Sequence, residues 1–326
     1  MKSISIRPID AERDFDEISK LIGLQDNRPV TEAELRQDYD THLNQVIRFC
    51  VAEAANGQLF GFGWAYRHGW QPGHAGFYLV VKPEQRRQGV GSQIYADLLR
   101  AVDQTDIQVL HVDVLDTLLE SLLFLEKRGF FIERRRFVSY LDLTSFDETP
   151  YLPLIVKLQA EGIRFCSLAD FANTADTQQK FYDLNFAVVK DIPGDEENEN
   201  TYPPFFQKFV LGSPWYKREG QLLAVDGDTW AGLASVYLYP KTVSAYNATT
   251  GVIRSHRGRK IAQALKVLAA RYAREHGATR IDTNNDSLNT PILAINRKLG
   301  YLSQSGRYQL VRHMSQWERP GGSLPR

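Results

Sequence analysis

Cysteine is nearly missing from this chain: Cys50 and Cys166 are the only two in 326 residues, and they lie in separate apolar, strand-like runs. That argues against a disulfide framework or a cysteine-built metal centre and predicts two small buried side chains. Net charge is absent too, since 39 basic residues balance 39 acidic ones. A general nucleic-acid binder carries a basic excess, so any positive field here is local. No stretch approaches the roughly 20 apolar residues needed to span a bilayer. The opening residues, Met1 to Arg7, alternate like a strand and lack the apolar centre of a signal peptide. The expectation is a cytoplasmic protein with no membrane partner and no metal.

What the chain does have is a repeat. Leu79-Val80-Val81-Lys82-Pro83-Glu84-Gln85-Arg86-Arg87-Gln88-Gly89-Val90-Gly91 has a counterpart 171 residues later in Thr250-Gly251-Val252-Ile253-Arg254-Ser255-His256-Arg257-Gly258-Arg259-Lys260-Ile261-Ala262. Other landmarks keep the same offset: Gly61 with Gly232, Ile94 with Leu265, and Gly129 with Gly300. Each copy is a basic, glycine-bearing loop between an apolar strand and an amphipathic helix. Such a loop brings unpaired backbone N–H groups and a positive helix end to one point, where a phosphate can bind. The length suits two domains of about 150 residues each.

The periodicity predicts the same order of elements twice. In the first half a strand over 2–7 precedes two helices, the second opening with the capping box Thr31-Glu32-Ala33-Glu34. Strands over 46–55 and 58–67 flank the hairpin signal Asn56-Gly57. A strand over 76–81 delivers the loop, and Val90, Ile94, Leu98 and Val102 form one stripe on the helix after it. A strand over 107–114, alternating around His111 and Asp113, a helix over 116–128 and a strand over 130–143 finish the half. The second half reads as a strand over 163–168, a helix over 176–188, and a hairpin of 222–225 with 230–239 around Asp226-Gly227. A strand over 243–253, a helix carrying Ile261, Leu265, Leu268 and Tyr272, a strand over 280–284, a helix from about Asn289 and a last strand follow. A linker near 144–151 places the domains at 1–147 and 148–326. The acidic run 193–200 and the tail around Gly321-Gly322 read as mobile.

Three kinds of phosphate loop compete for the repeat. A dinucleotide fingerprint needs an early strand, a third glycine and an acid about 20 residues on. Here the loop follows a hairpin and the third glycine is missing. A nucleotide-triphosphate loop ends in Gly-Lys-Ser/Thr, which neither copy does. The whole order of elements resembles the GNAT superfamily of N-acetyltransferases. Arg86-Arg87-Gln88-Gly89-Val90-Gly91 matches that family's Arg/Gln-x-x-Gly-x-Gly/Ala signature at every specified position. Phe124-Leu125-Glu126-Lys127-Arg128-Gly129-Phe130 resembles the family's ending of the following helix, and Asn296-Arg297-Lys298-Leu299-Gly300-Tyr301 does the same in the second half. The resemblance covers nearly the whole chain as two tandem domains, an arrangement also seen in mycothiol synthase. It implies an α/β (mixed α+β) fold, each domain having a central, mostly antiparallel mixed sheet flanked by helices. It also implies acetyl-CoA as cofactor, its pyrophosphate cradled by the loop.

On that resemblance the first coenzyme site comprises Leu79, Val80 and Val81 of the strand and Arg86, Arg87, Gln88, Gly89, Val90, Gly91 and Ser92 of the loop. The second comprises Val252, Ile253, Arg257, Gly258, Arg259, Lys260 and Ala262, with Asn285 and Asn296 as polar lining. Glycines at 89 and 91 let the backbone approach phosphates closely, and Arg86 and Arg87 add charge-assisted contacts. Lys260 stands where the first copy has Gly89, so the first copy is expected to be the intact site. The polar run Asn284, Asn285, Asp286 and Asn289 favours the second half instead, and the catalytic half stays open. The family's frequent general acid, a tyrosine two residues before the lysine, is replaced by Leu125 and Asn296. Candidate replacements are Tyr66, His68 and His74 in the first half and Tyr237, Tyr239 and Tyr246 in the second, with Asp113 as a possible base. The basic run 256–260 is explained by phosphate binding, so nucleic acid is not expected as a partner. The expected function is acetyl-CoA-dependent transfer to the amine of a small molecule or peptide, by direct attack in a ternary complex, in a monomer or homodimer. The rival is a coenzyme-binding module with weak or no catalysis.

Overall fold

Val90, Ile94, Leu98 and Val102, spaced to share one helix face, are each at most 3% exposed and lie at the centre of one of the cores. The computed structural model describes residues 4–26, 29–69, 71–193 and 202–314. The chain divides into two units, residues 1–133 with 308–326 and residues 134–307.

In the first unit β1 (Ile4–Pro8), α1 (Ala11–Asp26), α2 (Glu32–Thr41), β2 (Val46–Ala54), β3 (Leu59–Arg67), β4 (His74–Val81), α3 (Val90–Val102), β5 (Val109–Leu115) and α4 (Leu119–Glu126) follow in order. The capping box forms as its residues predict, with Thr31 Oγ1 accepting from the Glu34 N–H and the Glu34 carboxylate accepting from the Thr31 N–H. Strands β1 to β4 pair antiparallel with their neighbours, and β5 lies parallel to β4. Helices α3 and α4 supply the core on one face of this sheet, and α1 and α2 supply it on the other. Gly61 is fixed by this packing. A Cβ there would sit 2.4 Å from the Val80 carbonyl oxygen and 3.3 Å from Ile94. Its repeat partner Gly232 is under the same constraint, 2.9 Å from the Gly251 carbonyl oxygen and 3.2 Å from Leu265.

The second unit contains most of β6 (Phe131–Asp142), then α5 (Leu152–Ala160), β7 (Ile163–Ser167), α6 (Ala175–Val189), α7 (Tyr202–Phe205), β8 (Gln221–Asp226), β9 (Thr229–Tyr239), β10 (Ser244–Val252), α8 (Ile261–Glu275), β11 (Arg280–Asp286) and α9 (Thr290–Leu299). Its strands run in the order β6-β11-β10-β9-β8-β7, and β10 with β11 is the parallel pair. Two features depart from the periodicity. Helix α5 follows directly on the segment read as a linker and buries Ile155 and Leu158 beside Ile261 and Leu265. Helix α7 runs into a π-helical turn, Phe206–Leu211, whose Phe206 packs on Phe181 and Tyr182 of α6.

The units also differ from a division at residue 147. From Arg136 to Asp142, β6 pairs with β11 in the second unit. It is held there by Arg134, which donates to Asp286 at 2.9 Å in a nearly buried ion pair. The place beside β5 is taken by residues 308–313 of β12 (Leu302–His313). Buried Arg312 of that segment donates to the Tyr95 hydroxyl. The first unit's sheet is therefore completed by a segment that follows the whole second unit, while β6, next in sequence after α4, completes the sheet of the second. Cys50 is buried and Cys166 half-buried, and neither is disulfide-bonded. Among the described residues no helix is long and apolar enough to cross a membrane. Residues 194–200 of the acidic run and the Gly321-Gly322 tail lie outside the described residues. Because the atom a side chain at 61 would meet is backbone, Gly61→Ala is expected to cost about 2–3 kcal/mol, measured as a lower denaturation midpoint at unchanged slope.

Candidate active site

Strands β4 and β5 pair for only three steps, His74↔Val109, Ala75↔Leu110 and Gly76↔His111. Beyond Gly76, β4 stays bound to β3 as far as Val81 and parts from β5. The gap is a cavity of about 630 Å³, walled by Phe77–Val81 on one side and Val112–Val114 on the other and closed by Phe124 and Leu125 of α4. Eight of the residues predicted for the first coenzyme site line it: Leu79, Val80, Val81, Arg86, Arg87, Gly89, Gly91 and Ser92. Gln88 and Val90 do not. The Gln88 amide donates to the Glu84 carbonyl, and Val90 is in the core.

The loop is locked from below and open above. Arg86 donates from Nε to the Val81 carbonyl at 3.1 Å, tying the loop to the end of its strand. Arg87 and Gly89 both take left-handed backbone angles, with φ of 61° and 86°. A side chain at 89 would meet nothing within 4 Å, so the space over the helix start is free. Neither Arg86 nor Arg87 has a carboxylate partner among the described residues. Lys127 and Arg128 add positive charge to the same wall. Arg128 donates to Ser92 Oγ at 2.8 Å and lies on the Phe124 ring, where burial lowers its affinity for a proton.

The second loop has the same backbone and the opposite outcome. Gly258 and Lys260 are left-handed, with φ of 79° and 65°, and Arg257 donates from Nε to the Val252 carbonyl at 3.0 Å. Each loop thus needs two left-handed residues and fills one of them with glycine, at 89 in the first and at 258 in the second. The charges, however, are paired. Arg254 and Arg257 both bind Asp191 and hold its carboxyl down at about 2, while Arg259 binds Asp226 at 2.9 Å. The parting of β10 from β11 after Tyr246↔Asp282 is stitched by side chains. Thr283 Oγ1 donates to the Asn247 carbonyl at 3.0 Å. Asn296 donates to Asn285 Oδ1 at 2.7 Å, and Asn285 donates to Ser139 Oγ at 3.0 Å. By the repeat offset these positions, 283, 285 and 296, match Val112, Val114 and Leu125 of the open cavity. Asn285 and Asn296, predicted as coenzyme contacts, are instead buried and bound to one another. Val252 is core, Ile253 and Ala262 pack against apolar clusters, and what remains is a space of about 360 Å³ under Tyr151 and Leu154, bordered by Lys260.

Of the predicted catalytic side chains, Tyr237 is buried and pushed up to about 12 by burial. Tyr239 packs edge-on to Trp215, and burial raises Tyr246. They form a packed aromatic face. Tyr66 and His68, by contrast, are brought together with ring centroids 6.1 Å apart. Burial and then the nearby Asp113 and Asp38 raise the Tyr66 phenol. Two further histidines join them. His68 stacks on His111 at 4.9 Å, and His74 Nδ1 lies 2.7 Å from His111 Nε2. Burial, reinforced by His68 and His74, pulls His111 down to about 4, and burial lowers His68 as well. The sequence alone does not mark His111 as a site residue. Its signal was the pair of polar residues, His111 and Asp113, on one face of an otherwise apolar strand. Among the described residues no group of three or more His, Cys, Asp or Glu is arranged to hold a metal ion.

Comparison with known proteins agrees with this geometry. The profile of the acetyltransferase (GNAT) family matches residues 15–130 and again residues 189–301. The chain belongs to that family, as two tandem copies, and is an acetyltransferase. No curated protein matches it in sequence. Among solved structures, a GCN5-related N-acetyltransferase from Sphaerobacter thermophilus matches over 98% of each chain, with 17% identity and a TM-score of 0.62. A tandem GNAT protein from the clavulanic acid biosynthesis pathway matches over 95% of this chain and 98% of its own, with 19% identity and a TM-score of 0.56. A glucosamine N-acetyltransferase region of a fungal multi-domain GH3 beta-N-acetylglucosaminidase covers 95% of this chain and 38% of its own, with 14% identity and a TM-score of 0.63. At such identities the shared property is the fold.

The second unit also buries a cation without a counter-ion. Lys266 donates to Asn247 Oδ1 at 2.8 Å beneath the Tyr301 ring, and burial draws it down to about 7. The folded state therefore holds the lysine proton less tightly than the unfolded chain does, so this group's contribution to stability rises as pH climbs from 7 toward 10.5. Lys266→Met is expected to remove that contribution and to stabilise the protein at pH 7 by roughly 3–5 kcal/mol, seen as a smaller gain in unfolding free energy between pH 7 and 9 than in the wild type.

Proposed function

We propose that the first unit binds acetyl-CoA and transfers its acetyl group directly to the amine of a small molecule or peptide, while the second unit binds no coenzyme and serves as scaffold. The observation that carries this reading is the contrast at equivalent positions. Val112, Val114 and Leu125 leave an open cleft, whereas Thr283, Asn285 and Asn296 tie the corresponding one shut. The residues around the cleft suit the coenzyme: an open left-handed glycine at a helix start, two arginines without carboxylate partners among the described residues, and an apolar slot between strands.

A coenzyme bound there supplies an activated acetyl thioester. The loop N–H groups and the Arg87 guanidinium would hold its phosphates. The edge of β4 beyond Gly76 has no ladder partner on its β5 side, so its N–H groups there can receive the negative charge that develops on the carbonyl oxygen. Val112, Val114 and Leu125 keep water from the thioester. Leu125 stands at the family's phenol position, so the departing sulfur is not protonated from that residue.

Calorimetry is expected to give one acetyl-CoA per chain. Gly89→Glu should weaken binding at least 30-fold, and Lys260→Glu should leave it within twofold. Two equivalents, or loss of binding on Lys260→Glu alone, would overturn the assignment to the first unit. Binding without thiol release against a panel of primary amines would favour a coenzyme-binding module.

A further inference from the structure

We propose that Asp113 selects the acceptor: its carboxylate holds the charged nitrogen of an amine whose reacting carbon bears no carboxylate, and it turns α-amino acids away. The inference rests on the amine-acetyltransferase reading and narrows the acceptor which that reading leaves open. Near neutral pH an aliphatic amine arrives mostly as an ammonium ion. A carboxylate recognises that ion through a charge-assisted hydrogen bond. The bond outlasts loss of a proton to water, because a neutral amine still has N–H to donate. An α-amino acid brings the same ammonium with a carboxylate one carbon away, and like charges pressed together at one site oppose binding.

Asp113 is the one acidic residue on the strands that wall the cavity. Carrying the register of the last rung, Gly76↔His111, two residues further sets Asp113 level with Tyr78, about 7 Å into the cleft. That is the stretch of β4 whose free N–H groups face the carbonyl oxygen in the transferase reading. Alternation decides which way Asp113 points. Val112 and Val114 enter the core that holds α3, as does Phe77 on β4. Asp113 and Tyr78 therefore lie on the opposite face, where Tyr78 packs on the core of α1 and α2. Gln25 of α1 lines the cavity with them. The cavity thus passes through the sheet, with the basic loop on the α3 side and Gln25, Tyr78 and Asp113 on the other.

Charge is sorted in the same sense. The basic lining residues Arg86, Arg87, Lys127 and Arg128 belong to the loop before α3 and the turn after α4, and Arg128 joins the two through Ser92. Glu120, the other acid of the lining, is on the first turn of α4. Asp113 faces away from the basic group. On its own face its charge, together with that of Asp38 on α2, opposes ionisation of the Tyr66 phenol. The Tyr66 ring lies over the last rung, so close that a Cβ on Gly76 would be 2.7 Å from the phenol oxygen. Aromatic rings and negative charge at one mouth suit a cation. Asp113 is exposed, so its carboxylate is open to an incoming acceptor.

The test uses matched pairs that differ by one carboxylate on the reacting carbon: tyramine against tyrosine, and agmatine against arginine. Thiol release from acetyl-CoA is followed for wild type, Asp113→Asn and Asp113→Lys. Wild type should prefer the amine over its amino acid by about 30-fold or more in kcat/KM. Asp113→Asn should bring that ratio within threefold, mainly by raising KM for the amine, and Asp113→Lys should reverse it. A residue with only a structural role would lower both members of a pair alike. Calorimetry of acetyl-CoA binding, expected to stay within threefold in Asp113→Asn, shows that the cleft is intact. Equal use of both members by wild type, or an unchanged ratio in Asp113→Asn, would overturn the selection and leave the transferase reading standing. Failure of wild type to bind acetyl-CoA would instead remove the transferase reading. If none of the four compounds is acetylated, calorimetric titration of each into the protein loaded with coenzyme A decides. The amine should bind about tenfold more tightly than its amino acid, and Asp113→Asn should erase the difference. Equal affinities, or no binding by any of the four, would reject the proposal.

Discussion

The parting of β4 from β5 after Gly76 is the constraint on which the shape of the first unit's cleft depends. Two parallel strands that stop pairing leave a wedge lined by unpaired backbone on one edge and by alternating side chains on the other. A wedge of that kind must be occupied, because neither bare backbone nor apolar side chains tolerate an empty interior. In the first unit the strands leave it as an open cavity. The loop beside it, fixed by the Arg86 contact to Val81, then brings a helix start and its positive charge to the mouth.

The second unit shows the other solution to the same problem. Thr283 crosses the wedge from β11 to β10, and Asn285 with Asn296 fills its depth. Helix α5 and Tyr151 cover what remains. The arginines that would face phosphates are satisfied by Asp191, Asp226 and Glu161. The backbone of the loop survives all of this, down to its two left-handed residues, so the loop's shape persists whether or not its charges are paired.

Much of this could be read before the structure was known, because much of it is local. Capping boxes, hairpin turns, one-faced helices and glycine-bearing loops are written in a few adjacent residues, as Thr31 with Glu34 and the stripe from Val90 to Val102 show. What could not be read is set by distant partners. Helix α5 is nine residues, too short to display a period, and is stabilised by α8 more than a hundred residues away. The pairing of β6 with β11 leaves no local mark. The asparagines of the second unit were misleading for a physical reason: polarity at a strand end signals either a ligand or a hydrogen bond to another asparagine, and sequence spacing does not separate the two. His111 was legible as an oddity in an apolar strand, but His74, His68 and Gln309 around it were not.

The exchange of closing strands has a consequence for how the protein is made. Residues 308–313, which finish the sheet of the first unit, are made only after the whole of the second unit. Until they arrive β5 is a bare edge, with a row of backbone donors and acceptors open to any passing strand. The unit that holds the open cleft is therefore begun before the second unit and completed after it, and a chain halted at residue 147 would hold β6 without the β11 it pairs with. Premature termination should thus yield an aggregation-prone fragment in place of a smaller working enzyme.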